Sequence, residues 1–306
     1  MTLALITHQA CQLHDMGSWH PESPARLQAI QDQLISSGLD WLLRHYDAPE
    51  VTREQLLRVH DEAYIDSLFQ ASPQQGHVEV GEDCIMNPHT LQAALHAAGA
   101  AILGVDLVMN GVVQDAFCAV RPPGHHAERA RAMGFCFFNN IAVAAAHALA
   151  HHKLERVAIV DFDVHHGNGT EQIFLDQPRV LFCSSFQHPF YPHSGADTQR
   201  DHIINLPLPA NSDGTAFREA VSEHWLPALE AFQPQLMLCS AGFDGHREDD
   251  MAMLQLVEDD YAWVTGKIKT LAQRHAEGRV VSTLEGGYAL SALGRSVVAH
   301  LRALID

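Results

Sequence analysis

The sequence predicts an α/β protein with a mainly parallel sheet covered by helices on both sides. Two observations predict it. Short apolar runs suited to strands recur along the chain, and most are continuous rather than alternating, as expected of strands buried on both faces. Helical stretches separate them, which is how parallel neighbours are connected.

The strand candidates, in order, are Leu3–Thr7, Ala116–Val120, Val157–Asp161, Val180–Ser184, Ile203–Leu206, Leu236–Ser240 and Val280–Leu284. Asn87-Pro88 can start a helix running from about His89 to Met109, which Asn110-Gly111 ends. Asn140–His151, Thr215–Phe232, Glu258–His275 and Ser291–Ile305 also read as helices. Two irregular stretches remain, around Pro73–Pro88 and Gln187–Arg200, and long loops in such folds usually build a site.

No linker, repeat or low-complexity segment interrupts the 306 residues, so 1–306 reads as one domain. The hydrophobic fraction of 47% and the charged fraction of 18% are those of a globular protein. A formal net charge of −18 disfavours nucleic acid and anionic membranes as partners. Cys11, Cys84, Cys118, Cys136, Cys183 and Cys239 are scattered without a Cys-x-x-Cys pair, which fits reduced thiols and a cytoplasmic location. The N-terminus lacks the pattern of a signal peptide, and no run is expected to approach a membrane span. A homo-oligomer is left open.

The chemistry gathers after the strands. Arg121-Pro-Pro-Gly-His125-His126 follows one, Asp163-Val-His165-His166-Gly-Asn168 another, Gly-Phe-Asp244 a third and Glu285-Gly286-Gly287-Tyr288 a fourth. Ligands of open parallel sheets bind beyond the carboxyl ends of the strands, so these clusters should share one edge. Asp163 and His165 are two apart, which on an extended segment points both side chains the same way. With Asp244 they make a three-ligand set for zinc that leaves positions for water and a substrate oxygen. The plainer alternative is that Asp163 and His165 cap a helix starting near Asn168. His125 and His126 are candidates for the proton transfers of a hydrolase. Asp161 and Asn168 could each bind the far nitrogen of one of these histidines, and a carboxylate partner and an amide partner would give the two rings different charges. Tyr288, after two glycines, could stabilise an oxyanion.

Taken together, RPPGHHA, GFCFFNN, DFDVHHGNGT, SAGFD and LEGGY, with the early His20–Arg26 stretch, resemble the histone deacetylase family, most of all its bacterial and class II members. The likeness runs from about Trp19 to Tyr288. It implies a three-layer α/β/α arrangement around an eight-stranded, mainly parallel sheet, the arginase/deacetylase fold. The zinc ligands would be Asp163, His165 and Asp244, with ferrous iron as an alternative metal. His126 would be general base and then acid, and His125, paired to Asp161, its electrostatic neighbour. Asn168 stands where class II members carry Asn, and Tyr288 matches the transition-state tyrosine. Gly134, Phe135 and Tyr191 match the tunnel that holds a lysine side chain, Gly286 also falls among the substrate contacts, and Asp83 matches a rim carboxylate. The backbone around Asp161, Asp163 and His165, with Ser184, resembles a structural potassium site. One departure is Met251, where polyamine-selective relatives carry Glu, although the acidic segment His246–Asp250 could take over that role. The expected function is a zinc-dependent amidohydrolase that removes an acyl group from acetyl-lysine of proteins or peptides. Deacetylation of small amines such as acetylpolyamines is the alternative, and non-catalytic binding of acyl-lysine a remote one.

Overall fold

The computed structural model describes residues 2–305, so the end residues of the expected 1–306 domain lie outside the described residues. The strands are β1 (Leu3–Thr7), β2 (Leu43–Asp47), β3 (Val78–Gly81), β4 (Cys84–Met86), β5 (Asp115–Cys118), β6 (Val157–Asp161), β7 (Val180–Gln187), β8 (Ile203–Leu208), β9 (Leu236–Ala241) and β10 (Val280–Leu284). The helices are α1 (Ala10–Leu13), α2 (Ala25–Ser36), α3 (Arg53–Leu56), α4 (Glu62–Ala71), α5 (Thr90–Met109), α6 (Asn140–Ala150), α7 (Asn168–Phe174), α8 (Gly214–Ala220), α9 (Leu226–Phe232), α10 (Glu258–His275) and α11 (Leu290–Ile305).

Eight strands form one parallel sheet in the order β2-β1-β5-β10-β9-β6-β7-β8. Helices cover both faces, as the alternation of side chains on β5 and β10 requires. Gly104 of α5 packs on Ile6, Ala116 and Val281. The next residues along the two strands, Phe117 and Ser282, face His300 of α11 on the other side. The sheet therefore carries α5 and α6 on one face and α2, α10 and α11 on the other.

Several boundaries differ from expectation for identifiable reasons. β2 lacks an apolar run because it is an edge strand in which only Leu43 is buried and Tyr46 half-buried. β5 begins at Asp115, whose carboxylate is neutralised by Lys269 Nζ at 2.6 Å, and it ends before Ala119-Val120 because the chain turns into Arg121-Pro122. β7 continues through Ser185–Gln187, where it pairs with β8. The expected helix Thr215–Phe232 contains a π-helical turn over Val221–Trp225, just before Pro227, which lacks the amide of a regular turn. The irregular Pro73–Pro88 stretch contains the antiparallel β3–β4 hairpin. The membrane-length expectation needs correction, because α5 is long and apolar enough to span a bilayer, with 78% of its apolar window buried inside the protein. All six cysteines are buried and unpaired.

Candidate active site

β5, β10, β9 and β6 are consecutive neighbours in the sheet, and register pairs Asp161 with Ser240 and Leu284 with Ala241. The four polar segments therefore leave the sheet side by side. Gly286 N donates to Asp163 Oδ2 at 2.8 Å, Val164 N donates to Asp244 Oδ1 at 3.0 Å, and His165 N donates to Asp163 Oδ1 at 2.9 Å. These bonds aim three side chains at one point. His165 Nδ1 lies 3.1 Å from Asp163 Oδ1 and 3.3 Å from Asp244 Oδ2, and one ligand atom of each residue falls within 4.8 Å of the others. The helix-capping alternative does not hold, because α7 starts after Gly167 without a side-chain cap.

The residues fit a divalent cation. Asp244 Oδ2 is buried and accepts no well-formed hydrogen bond. A Cβ on Gly286 would run into Asp244 Oδ2 and Asp163 Oδ2, so only glycine allows the backbone this close. Burial, reinforced by Asp163, pushes Asp244 up to about 6, and burial pushes Glu285 up to about 7, so ionised carboxylates are costly here. A divalent cation held by Asp163 and Asp244 would offset that cost.

The two histidines differ as their partners dictate. His125 Nδ1 is 2.9 Å from Asp161 Oδ2. Burial alone would lower its pKa, but Asp161 and Asp163 overcome this and raise it to about 10. His126 Nδ1 is 2.7 Å from Asn168 Oδ1. Burial, then the positive charges of His125 and His165, hold it well below the usual histidine range. Asn168 Nδ2 donates to Glu128 Oε1 at 2.8 Å, which turns the amide oxygen toward His126. The His126 proton thus sits on Nδ1, and Nε2 keeps its lone pair. Glu285 fixes the histidine turn by accepting from Gly124 N at 2.7 Å and His125 N at 3.2 Å. The adjacent asparagines of GFCFFNN brace it from α6, with Asn140 donating to Pro122 O and Asn139 to Ala127 O.

Above this point opens a cavity of about 240 Å³, lined by His125, His126, Gly134, Phe135, His165, Tyr191, Met251, Gly286 and Tyr288, with Asp83 the only carboxylate among the described lining residues. Pro123 and Phe190 also line it and were not anticipated. Phe135 and Gly134 both have positive φ, 70° and 54°, and a Cβ on Gly134 would meet the His126 ring. Asp83 sits exposed at the β3–β4 turn, and the hairpin is docked by Gly134 N donating to Glu82 O at 3.0 Å. Tyr288 is held by its backbone, because Asp249 Oδ2 accepts from Tyr288 N at 2.6 Å and Ala289 N at 2.9 Å. Arg26 lies over the Tyr288 ring at 4.9 Å and donates to Gly287 O at 2.7 Å. Burial raises the Tyr288 phenol well above its usual range, so it is a proton donor. Ser184 lies beside Asp161 in register, and its Oγ is 3.0 Å from His166 Nδ1. Sequence reasoning missed the parts played by Asp249, Arg26, Glu128 and Glu285. Arg26 and Glu285 at least lay inside recognised motifs.

A parallel α/β sheet with an Asp-His-Asp cluster, two differently charged histidines and a phenol at its carboxyl edge defines the class of metal-dependent hydrolases. Residues 20–304 match the histone deacetylase domain. A histone deacetylase-like amidohydrolase of Pseudomonas aeruginosa is 41% identical over 276 residues, covering 88% of this chain and 72% of the relative. The polyamine deacetylase HDAC10 of Homo sapiens is 39% identical over all of this chain, which spans 48% of that protein. The crystal structure of the HDA15 HD domain superposes with a TM-score of 0.94 at 32% identity, covering 99% of this chain and 89% of that domain. The chain belongs to the histone deacetylase family. It is a deacetylase acting on an acylated amine, in a zinc-dependent family, on the arginase/deacetylase fold.

Proposed function

We propose that the protein removes the acyl group from acyl-lysine side chains of proteins or peptides. The observation that carries this choice is the cavity wall. Met251 lines it, and among the described lining residues the single carboxylate is Asp83 on the exposed rim, suited to a peptide backbone. A polyamine would need a carboxylate along the wall to meet its second ammonium group. The acidic segment after His246 is largely committed elsewhere. Glu248 pairs with Arg295 at 2.8 Å, and Asp249 accepts from the amides of Met251, Tyr288 and Ala289.

Asp163, His165 and Asp244 would hold the zinc, which supplies Lewis acidity and an acidified water when bound. Ferrous iron suits the same donors. The acylated chain lies between Phe135 and Tyr191. Tyr288 donates to the substrate carbonyl and stabilises the charge that develops on its oxygen. His126, with its lone pair on Nε2, takes a proton from the attacking water and returns it to the departing amine. His125, held cationic by Asp161, stabilises negative charge beside it. Potassium bound by the backbone of Asp161, Asp163 and His165 with Ser184 would stiffen this segment. The observation favouring small amines is that human and mouse relatives are named polyamine deacetylases.

The test compares kcat/KM on acetyl-lysine peptides and on N-acetylated polyamines for the wild type and Met251→Glu. The wild type should favour the peptide, and the variant should move toward the polyamine by about tenfold or more, as a desolvated charge pair permits. A wild type that prefers the polyamine refutes the assignment.

A further inference from the structure

Three imidazoles and a carboxylate meet at the end of α6 remote from the catalytic histidines, and the reaction makes no use of them. α6 begins at the catalytic edge, where the Asn139 side chain caps it and reaches His125 O. It ends one helix length away, about 16 Å at 1.5 Å per residue. His147 lies in its last turn, His151 at its C-cap and His152 just beyond. A spacing of four puts His147 and His151 on one face, and their rings stack at 4.9 Å and 14°. The His152 ring lies 5.6 Å and 4.9 Å from these two. Asp106, in the last turn of neighbouring α5, places one oxygen, Oδ1, 2.7 Å from both His147 Nε2 and His152 Nε2. One ligand atom from each of the four residues lies within 4.8 Å of all the others. His147 is buried, Asp106 and His152 are half-buried and His151 is exposed, so the cluster opens to solvent on one side.

We propose that Asp106, His147, His151 and His152 form a second metal site, for a zinc-class divalent cation. Three neutral imidazoles and one carboxylate are a tetrahedral donor set of the kind zinc takes, with copper and nickel as competitors. Asp106 Oδ1 already faces Nε2 of both His147 and His152 at 2.7 Å, so an ion there would replace the protons these contacts share. The ion would join the C-terminal ends of α5 and α6, the helix pair packed on one face of the sheet. One neighbour opposes it. Arg58 Nη1 lies 3.3 Å from His147 Nδ1. Metal on Nε2 puts the His147 proton on Nδ1, facing that guanidinium. Arg58 also reaches Glu54 Oε1 at 3.1 Å, so it has an alternative partner to turn toward.

The test uses the untagged 306-residue chain dialysed against buffered micromolar Zn2+, with zinc counted by elemental analysis. The wild type should hold one zinc more per chain than the His151→Ala, His152→Ala double variant. Circular dichroism and turnover of acetyl-lysine peptide should be the same in both. In an Asp244→Ala background, Zn2+ should still raise the unfolding midpoint by roughly 2–4 °C, and the double substitution should abolish the rise. Arg58→Gln should tighten this zinc by about threefold or more by removing the opposed charge. Equal zinc content in the wild type and the double variant overturns the proposal.

Discussion

Asp249 acts on the reaction without touching substrate, by holding the turn that presents Tyr288. Its Oδ2 accepts from Tyr288 N at 2.6 Å and Ala289 N at 2.9 Å, while Oδ1 accepts from Met251 N at 3.1 Å. Hydrogen bonds to a charged acceptor contribute about 1.5–3 kcal/mol each. Only the two bonds on Oδ2 fix the tyrosine. The turn is half-buried, so water replaces them in part, and the lower figure applies to each. Asp249→Ala therefore loosens the turn by about 3 kcal/mol, which lowers kcat about 100-fold if the phenol is needed only in the transition state. Asp249→Asn keeps a neutral acceptor oxygen and should lose about tenfold. KM and zinc content should change little in both. A double-mutant cycle with Tyr288→Phe separates positioning from a general structural effect. Once the phenol is gone, adding Asp249→Ala should cost less than about threefold more in kcat. The same loss in both backgrounds, or unchanged kcat in Asp249→Ala, would refute the reasoning.

Asp244→Ala removes the acceptor of Val164 N together with the buried, unpaired Oδ2, and should lose the catalytic zinc. Metal analysis showing that site still filled would show the ligand set to be wrong. Gly286→Ala places a Cβ against Asp163 and Asp244, and zinc competition should show affinity down by about tenfold or more, whereas wild-type affinity would mean the backbone has room to yield. His300, buried between Thr265 and Ser282, has its pKa lowered by burial to about 3. Its folded value lies below the unfolded value of about 6.5, so its contribution is complete above about pH 6.5 and is lost as pH falls toward about 3. The loss amounts to about 2 kcal/mol at pH 5, seen as a stability difference between about pH 7 and pH 5 in urea unfolding. His300→Gln should flatten that dependence, and an unchanged slope would remove His300 as its cause.

The convergence of Asp163, His165 and Asp244 was legible in the sequence because its information is local. Asp163 and His165 lie two apart at a strand end, Asp244 follows another apolar strand, and a parallel sheet brings such ends to one edge. The central strands were legible for the same reason, being unbroken apolar runs. Edge strand β2 and helix α2 were not. β2 buries one residue of five, and α2 buries Arg26 among its apolar positions, which masks its helical period.

The supporting residues carry no such mark, and Glu248-Asp249-Asp250 shows why. Three successive carboxylates are equivalent in the sequence, yet Glu248 meets Arg295, Asp249 turns inward to three amides and Asp250 stays exposed. Which of them holds Tyr288 depends on where β9 and β10 end relative to each other, a long-range fact with no local period. Glu128 poses the same problem. It sets the tautomer of His126 only through the orientation of Asn168, forty residues away in sequence. A residue that works on another side chain through backbone or amide geometry has no spacing rule of its own. The meeting of Asp163, His165 and Asp244 therefore emerges from strand order, whereas the proton positions that distinguish His125 from His126 emerge only from the hydrogen bonds behind them.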